Sequence, residues 1–441
     1  MKINFLYDTL GPDFAFPNGC DVDSINEHWH VNSINTLLDK SLCISDHLNT
    51  DDDYLYFYPI STTGDYHKSL GNLQKNNKSI FSYVSKKAID IINNTKNVYV
   101  FFEHTGEPDF DSDILKKIYD ECSKINLNIE KVFIVNGTNS NNLILSDFQE
   151  KYGKYEKIKL LTYNWPLPFK SLELRGVLGI EENKDSRTST ISDISHIQKE
   201  KTKKALYLNR RLRYHRLLSL CFLAQKNLLK EILYSFDISQ NMFDNIEYMI
   251  KNDEIQHNPV YISTAENKSK VLSGYQNLIK IKKNTLDKGD LSLVHGYGME
   301  SKELYEQTFF SIVSETTFNK FTQSFTEKIL KPIQHHHPFV LIGSPNILKI
   351  LKSYGFKTFD KWWDESYDEI EDDEKRLLVV MELIYQLIDT DVNTWYKMIE
   401  EMKDTLIHNH KLLLSFNEEK LEELISKNIK NIIKNESNYI L

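Results

Sequence analysis

Residues 309–343 constrain this chain more than any other stretch. They read as a strand at 309–313, a polar loop, a helix over 326–335 opened by Phe325-Thr326-Glu327-Lys328, and a second strand at 339–342 ending in Gly343. Two strands flanking one helix predict a parallel pair joined by a crossover, with the helix N-terminus at the carboxyl edge of the sheet. Open α/β sheets bind their ligands at that edge. A helix start there also offers free N–H groups and the positive end of a dipole, which suit phosphate. Glu327 is placed to accept from ribose hydroxyls and Lys328 to neutralise a diphosphate. The same residues equally suit a plain helix start, with Thr326 as the cap and Glu327 complementing the dipole.

The rest of the chain extends this pattern. At 441 residues it is too long for one core, so two domains are expected. In the first part, β-rich runs at 2–7, 54–58, 98–103 and 132–135 alternate with polar or helical stretches. Between the last two, 114–125 carries apolar residues at helical spacing. This predicts parallel strands with crossover helices. The polar stretch 181–202 has no apolar period and is the expected linker. A strand at 205–208, a helix over 212–229 and a helix at 346–354 complete a second α/β lobe. From Glu374 onward the pattern changes to long amphipathic helices, two of them at 395–414 and 421–433. They are expected to pack on the second lobe with some crossing back to the first. The acidic run 368–374 reads as a solvated helix start.

Bulk properties exclude several classes. A formal charge of -9 argues against coating nucleic acid through a broad basic surface, although a local basic pocket remains compatible with it. The first eight residues are too short an apolar stretch for a signal peptide, and no run of about 18 apolar residues occurs. Cys20, Cys43, Cys122 and Cys221 are far apart and form no metal spacing, so buried thiols in a reducing cytoplasm are expected. In His335-His336-His337, neighbours before a strand point in different directions and do not converge on one metal.

A basic turn follows the 205–208 strand: Leu208-Asn209-Arg210-Arg211-Leu212-Arg213-Tyr214-His215-Arg216. The arginine fork binds phosphate oxygens bidentately, and Arg210 and Arg211 lie at the strand-to-helix turn. With Lys328 they form a cluster able to counter a diphosphate. No Asp-x-Asp motif stands at a strand end, so no metal and no cofactor are expected to be required.

The segment 309–343 resembles the donor-binding segment of GT-B glycosyltransferases, above all the α1,3-fucosyltransferase-like group. The stretches that carry the likeness are Phe310-Ser311-Ile312-Val313-Ser314-Glu315, Thr326-Glu327-Lys328 and Pro338-Phe339-Val340-Leu341-Ile342-Gly343. The continuation, Gly355-Phe356-Lys357-Thr358-Phe359-Asp360 to Asp364-Glu365-Ser366-Tyr367-Asp368, looks like uncharacterised glycosyltransferase-type proteins of phages and giant viruses. The first 190 residues do not carry the resemblance.

The resemblance implies an α/β, GT-B-like fold: two Rossmann-like lobes with parallel sheets facing a cleft, plus C-terminal helices. Residues 1–190 would form an acceptor-side lobe, 203–372 the nucleotide-sugar-binding lobe and 373–441 a helical extension. It implies an inverting transfer from a nucleotide sugar, UDP- or GDP-linked, to a hydroxyl of a glycan or glycoconjugate. Arg210, Arg211, Ser314, Glu315, Thr326, Glu327 and Lys328 would bind the donor, joined by His295 and Tyr297 of the 295–298 loop. The acceptor hydroxyl needs a base. A strand ending in Glu103-His104 with Glu107 just beyond supplies three candidates, in the order Glu103, Glu107, His104. A solvated loop explains each of them singly as well. Asn136-Gly137-Thr138-Asn139 is a further candidate to line the acceptor side, Tyr163-Asn164-Trp165-Pro166 suits an aromatic platform for a sugar or equally a buried Trp at a strand end, and Trp362-Trp363 is expected to fill a core or stack a ring. Two other functions fit the sequence: a glycosyltransferase acting on modified DNA bases, and a non-catalytic two-lobed sugar-nucleotide-binding or structural protein. Nucleic acid is not the expected partner, and the expected location is cytoplasm, that of a host if the source is viral.

Overall fold

A computed structural model of the chain describes residues 2–7, 41–44, 47–61, 81, 84–104, 110–153, 158–162, 199–209, 213–237, 262–281, 283–286, 302–416, 427–429 and 431–433. The chain forms two compact units, one of Met1–Phe169 with Phe416–Leu441 and one of Lys170–Ser415. The stretch 181–198 of the expected linker lies outside the described residues.

The first unit is built on six parallel strands in the order β2-β1-β3-β4-β5-β6. They are β1 (Lys2–Tyr7), β2 (Ser41–Cys43), β3 (Tyr54–Ser61), β4 (Val98–His104), β5 (Val132–Asn136) and β6 (Lys159–Thr162). Helices α1 (Lys86–Asn94), α2 (Ser112–Lys124) and α3 (Asn141–Tyr152) make the crossovers. Their starts follow from local chemistry. The Ser85 hydroxyl accepts from the Ala88 N–H, and the Asp111 carboxylate from Asp113 and Ile114.

Alternation along the strands sends Tyr56, Tyr58, Val100, Phe102 and Ile134 into a core shared with Ile92, Leu115 and Ile118 of α1 and α2. The opposite face carries Leu55, Phe57, Phe101, Phe133, Val135 and Leu161, and it is covered by Ile429 and Ile432 from the chain's last segment. With both faces covered, β5 is buried at all five positions. Parallel sheets show this continuous burial.

The second unit carries a five-stranded sheet in the order β11-β10-β7-β8-β9. Its strands are β7 (Lys203–Leu208), β8 (Ile232–Asp237), β9 (Lys283–Asn284), β10 (Thr308–Ser314) and β11 (Phe339–Ile342). All pairs are parallel except β8 with the short edge strand β9. Around it lie α4 (Tyr214–Gln225), α5 (Ala265–Ile281), α6 (Lys302–Glu306), α7 (Glu327–Gln334), α8 (Ile347–Ser353), α9 (Asp373–Asp389) and α10 (Val392–Leu414). The two units are thus both Rossmann-like α/β bodies, as the sequence led us to expect.

One detail differs from the sequence reading. The helix expected over 212–229 begins at Tyr214, because Arg213 is extended, and ends at Gln225, just before Asn227 at a left-handed φ of 58°. The residues expected to form a helical extension over 373–441 fall in both units. α9 and α10 belong to the second unit, and the residues from Phe416 group with the first. Trp395 of α10 explains that attachment. It is fully buried, stacks on Phe310 at 5.1 Å and Phe309 at 5.6 Å, and donates its indole N–H to the Leu387 carbonyl at 2.9 Å.

Candidate functional site

In the second sheet β8 follows β7 on one side, whereas β10 joins β7 on the other. The strand order therefore reverses between β7 and β10, and the crevice beyond their carboxyl ends is where such a sheet receives a ligand. β7 runs out into Asn209, and β10 into Glu315 and Thr316.

Glu315 organises this edge. It is fully buried, and its N–H donates to the Ile342 carbonyl at 2.9 Å, carrying the β10–β11 ladder one residue further. Its carbonyl receives the Arg216 guanidinium at 2.7 Å and His215 Nε2 at 2.9 Å, both from the first turn of α4. A carbonyl only accepts, so Nε2 carries the imidazole proton. One oxygen of the Glu315 carboxylate accepts the Thr326 N–H at 3.1 Å, and the other accepts the Thr326 hydroxyl at 2.6 Å. Burial pushes the Glu315 carboxyl up, while the Lys328 charge and the Thr326 bonds pull the other way.

Thr326 caps α7 from an extended backbone, its hydroxyl accepting from the Lys328 N–H at 3.4 Å. The Lys328 ammonium donates to Thr316 Oγ1 at 3.1 Å, Thr326 Oγ1 at 3.1 Å and Glu327 Oε1 at 2.7 Å. The Lys328 and Glu327 side chains are 27 % and 17 % exposed, so this cluster opens to solvent where Glu315 does not. Burial acts to raise the Glu327 carboxyl. The Lys328 charge and hydrogen bond, with Lys331 behind them, leave it below its ordinary value.

Buried cations support the edge from beneath. Burial lowers the Arg216 guanidinium to about 10 against the opposing pull of Tyr207 and Glu315. Burial and the Arg216 charge push His215 down to about 3, so it is a neutral donor throughout the physiological range. The His215 ring stacks on Phe318 at 5.3 Å, and the Arg376 guanidinium lies 4.2 Å from the same ring. Arg376 also donates to the carbonyls of Gly343 at 3.0 Å, Ile370 at 2.6 Å, Glu371 at 3.2 Å and Phe318, and to the Asp373 carboxylate at 2.6 Å. One side chain from α9 thus ties the loop after β10 to the end of β11.

Of the residues expected to form the site, the fold brings together Ser314, Glu315, Thr326, Glu327 and Lys328. Ser314 and Glu315 turn inward: the Ser314 hydroxyl lies 2.8 Å from the Tyr207 hydroxyl, which also bonds Ser219. Arg210, Arg211, His295, Tyr297 and Glu107 lie outside the described residues, as do 163–166. Glu103 and His104 are the last residues of β4, paired with Val135 and Asn136, and only their backbone is described. At the next strand end, Asn136 donates to Asn141 at 2.9 Å, and Asn141 to Thr162 at 2.9 Å. Thr162 in turn donates to the Thr138 carbonyl at 2.7 Å, so these buried polar groups are spent on one another.

The histidine triplet splits three ways: His335 stacks on Tyr305, His336 on His410, and His337 Nδ1 lies 2.8 Å from the Ser311 hydroxyl. Among the described residues no three His, Cys, Asp or Glu side chains form a group that could hold a metal ion. Trp363 is a core residue against Phe359. Cys122 and Cys221 are free and buried, the Cys122 thiol pushed up to about 12 by burial.

The acidic run 368–374 is not wholly solvated. Asp368 is buried and accepts from the Leu348 N–H at 3.1 Å and the Lys349 N–H at 3.2 Å, capping α8 from a distance. Sequence reasoning missed the roles of His215, Arg216, Thr316 and Arg376. Two of them carried a signal: Arg216 opens an otherwise apolar helix, and Arg376 precedes the apolar stripe of α9.

No protein-family model matches the chain, and no curated protein matches it. Among solved structures it is similar to an α,α-trehalose-phosphate synthase (UDP-forming) from Burkholderia vietnamiensis, at 9% identity and a TM-score of 0.35, over 93% of this chain and 79% of that one.

Proposed function

We propose that this chain is a GT-B-type glycosyltransferase that holds a nucleotide-sugar donor at the start of α7 and passes the sugar to an acceptor hydroxyl with inversion. The observation that carries this reading is the solvent-facing cluster of Thr316, Thr326, Glu327 and Lys328 at the topological switch point of a parallel sheet. Its sequence is the one that resembles the donor segment of those enzymes. A donor diphosphate takes the place of the Thr316 hydroxyl on the Lys328 ammonium, which Thr326 continues to hold, against the N-terminal end of the α7 dipole. Glu327 accepts from the ribose hydroxyls. Arg210 and Arg211 add bidentate contacts to the phosphates, and His295 and Tyr297 contact the nucleotide.

The acceptor oxygen attacks the anomeric carbon as the bond from that carbon to the diphosphate breaks. The bonding pair stays on the leaving diphosphate, whose charge Lys328 and the arginines counter. The acceptor proton passes to a group at the end of β4: Glu103, Glu107 or His104. In this reading the second unit binds the donor, UDP- or GDP-linked, and the first brings a glycan or glycoconjugate.

Titration calorimetry with UDP, GDP, ADP and CMP tests the donor site. Lys328→Ala and Arg211→Ala should each weaken the preferred nucleotide about tenfold or more. Unchanged affinity in both variants removes the donor assignment. A hydrolysis screen over UDP- and GDP-sugars then separates an enzyme, which releases nucleoside diphosphate, from a binding protein, which does not.

A further inference from the structure

Thr326 offers its neighbours one hydroxyl hydrogen and two lone pairs. Its hydroxyl lies 2.6 Å from Glu315 Oε2, 3.1 Å from the Lys328 ammonium and 3.4 Å from the Lys328 N–H. An ammonium and an amide only donate, and an ionised carboxylate only accepts. The hydrogen therefore goes to Glu315 and the lone pairs face Lys328. The second Glu315 oxygen takes the Thr326 N–H at 3.1 Å, which fixes the cap's backbone as well as its rotor. Glu315 is held in turn, its N–H on Ile342 and its carbonyl under Arg216 and His215. It is fully buried, with no surface to offer a ligand.

We infer that Glu315 is a positioning residue. It orients the Thr326 hydroxyl so that Lys328 is presented at the helix start in the geometry that receives a nucleoside diphosphate. This rests on the donor-site reading above and adds to it a residue that acts without touching the ligand. Glutamine at position 315 cannot do the same. With its oxygen on the Thr326 N–H, its amide nitrogen donates to the Thr326 hydroxyl and turns that hydrogen toward the two Lys328 donors. With the amide reversed, its nitrogen meets the N–H head-on. Either arrangement loses one bond and disturbs the lysine.

The test is calorimetric titration of the full chain with UDP and GDP, comparing wild type with K328A, E315Q, T326V, T326S and the E315Q/T326V pair. E315Q and T326V should each weaken the preferred nucleotide about tenfold, the worth of one well-placed hydrogen bond. The double variant should lose no more than either single one, because both act through the same bond. T326S, which keeps the hydroxyl, should restore the binding that T326V loses. If E315Q does not fold, the contrast between T326V and T326S decides. Wild-type affinity in E315Q and T326V alongside weakened K328A overturns the positioning role and leaves the donor site standing, as do additive losses in the double variant. Unchanged affinity in K328A overturns this inference, and no binding of either nucleotide by wild type overturns the donor-site reading and this inference with it.

Discussion

Replacing Arg376 with leucine should destabilise the second unit by about 4 kcal/mol. The guanidinium is 2 % exposed, and leucine fills part of the space of its stem while supplying no donor. Water can take over the carbonyls of Ile370 and Glu371, which lie nearer the surface. It cannot reach the buried Phe318 and Gly343 carbonyls, and each buried acceptor left unpaired costs about 1–3 kcal/mol. Two of them give about 4 kcal/mol, inside the about 3–5 kcal/mol measured when one partner of a buried charged pair is removed. Asp373 loses the cation that draws its carboxyl down against burial, which adds to the cost. For a unit of this size each kcal/mol moves the midpoint by about 2–4 °C, so the calorimetric transition of the second unit should fall by about 10 °C. UDP or GDP affinity should fall with it, because the Phe318 loop borders the start of α7. A shift smaller than about 2 °C would refute the reasoning, since it would mean that the two carbonyls find other partners at no cost.

Two further substitutions test the packing and the electrostatics. Gly274 lies within α5, where alanine is ordinarily favoured by about 1 kcal/mol. A Cβ there would stand 1.9 Å from the Cys221 carbonyl oxygen of α4, so Gly274→Ala should instead destabilise by about 2–3 kcal/mol in urea unfolding, and a gain in stability would show that the two helices are not so close. Burial pushes the Asp368 carboxyl from 3.8 up to about 6, against the N–H groups of Leu348 and Lys349. The folded state therefore holds the proton that the unfolded state has given up, and stability from this group is present at about pH 4 and lost as pH rises through about 6. Asp368→Asn removes the titration, so its stability relative to wild type should improve by about 2–3 kcal/mol between pH 4 and pH 7. A gap that stays constant with pH would contradict the assignment.

The residues that were legible in sequence are those whose cues are local. β10, α7 and β11 announce themselves through an apolar run, a threonine cap and a second apolar run, and the structure places them at 308–314, 327–334 and 339–342. The pairings that were not legible act across the chain. Arg376 reaches Phe318 across 58 positions, Asp368 reaches Leu348 across 20, and Glu315 reaches Thr326 across a loop of 11. No period in the sequence encodes such pairs. They exist because polar groups sealed at a sheet edge must find partners, whichever loop supplies them.

Glu315 shows what this changes for the chemistry. With both glutamates facing the crevice, two carboxylates would confront one ammonium and repel a diphosphate. The fold buries Glu315 against the Thr326 cap and sets the Arg216 guanidinium on its carbonyl, so among the described residues the part-exposed carboxylate beside Lys328 is that of Glu327. At the start of α7 that pair is close to neutral, and the helix dipole makes the balance positive. The inward turn of Glu315 is therefore a condition for an anion to bind there. A variant that carried this carboxylate out into the crevice would lose nucleotide affinity even with Lys328 intact.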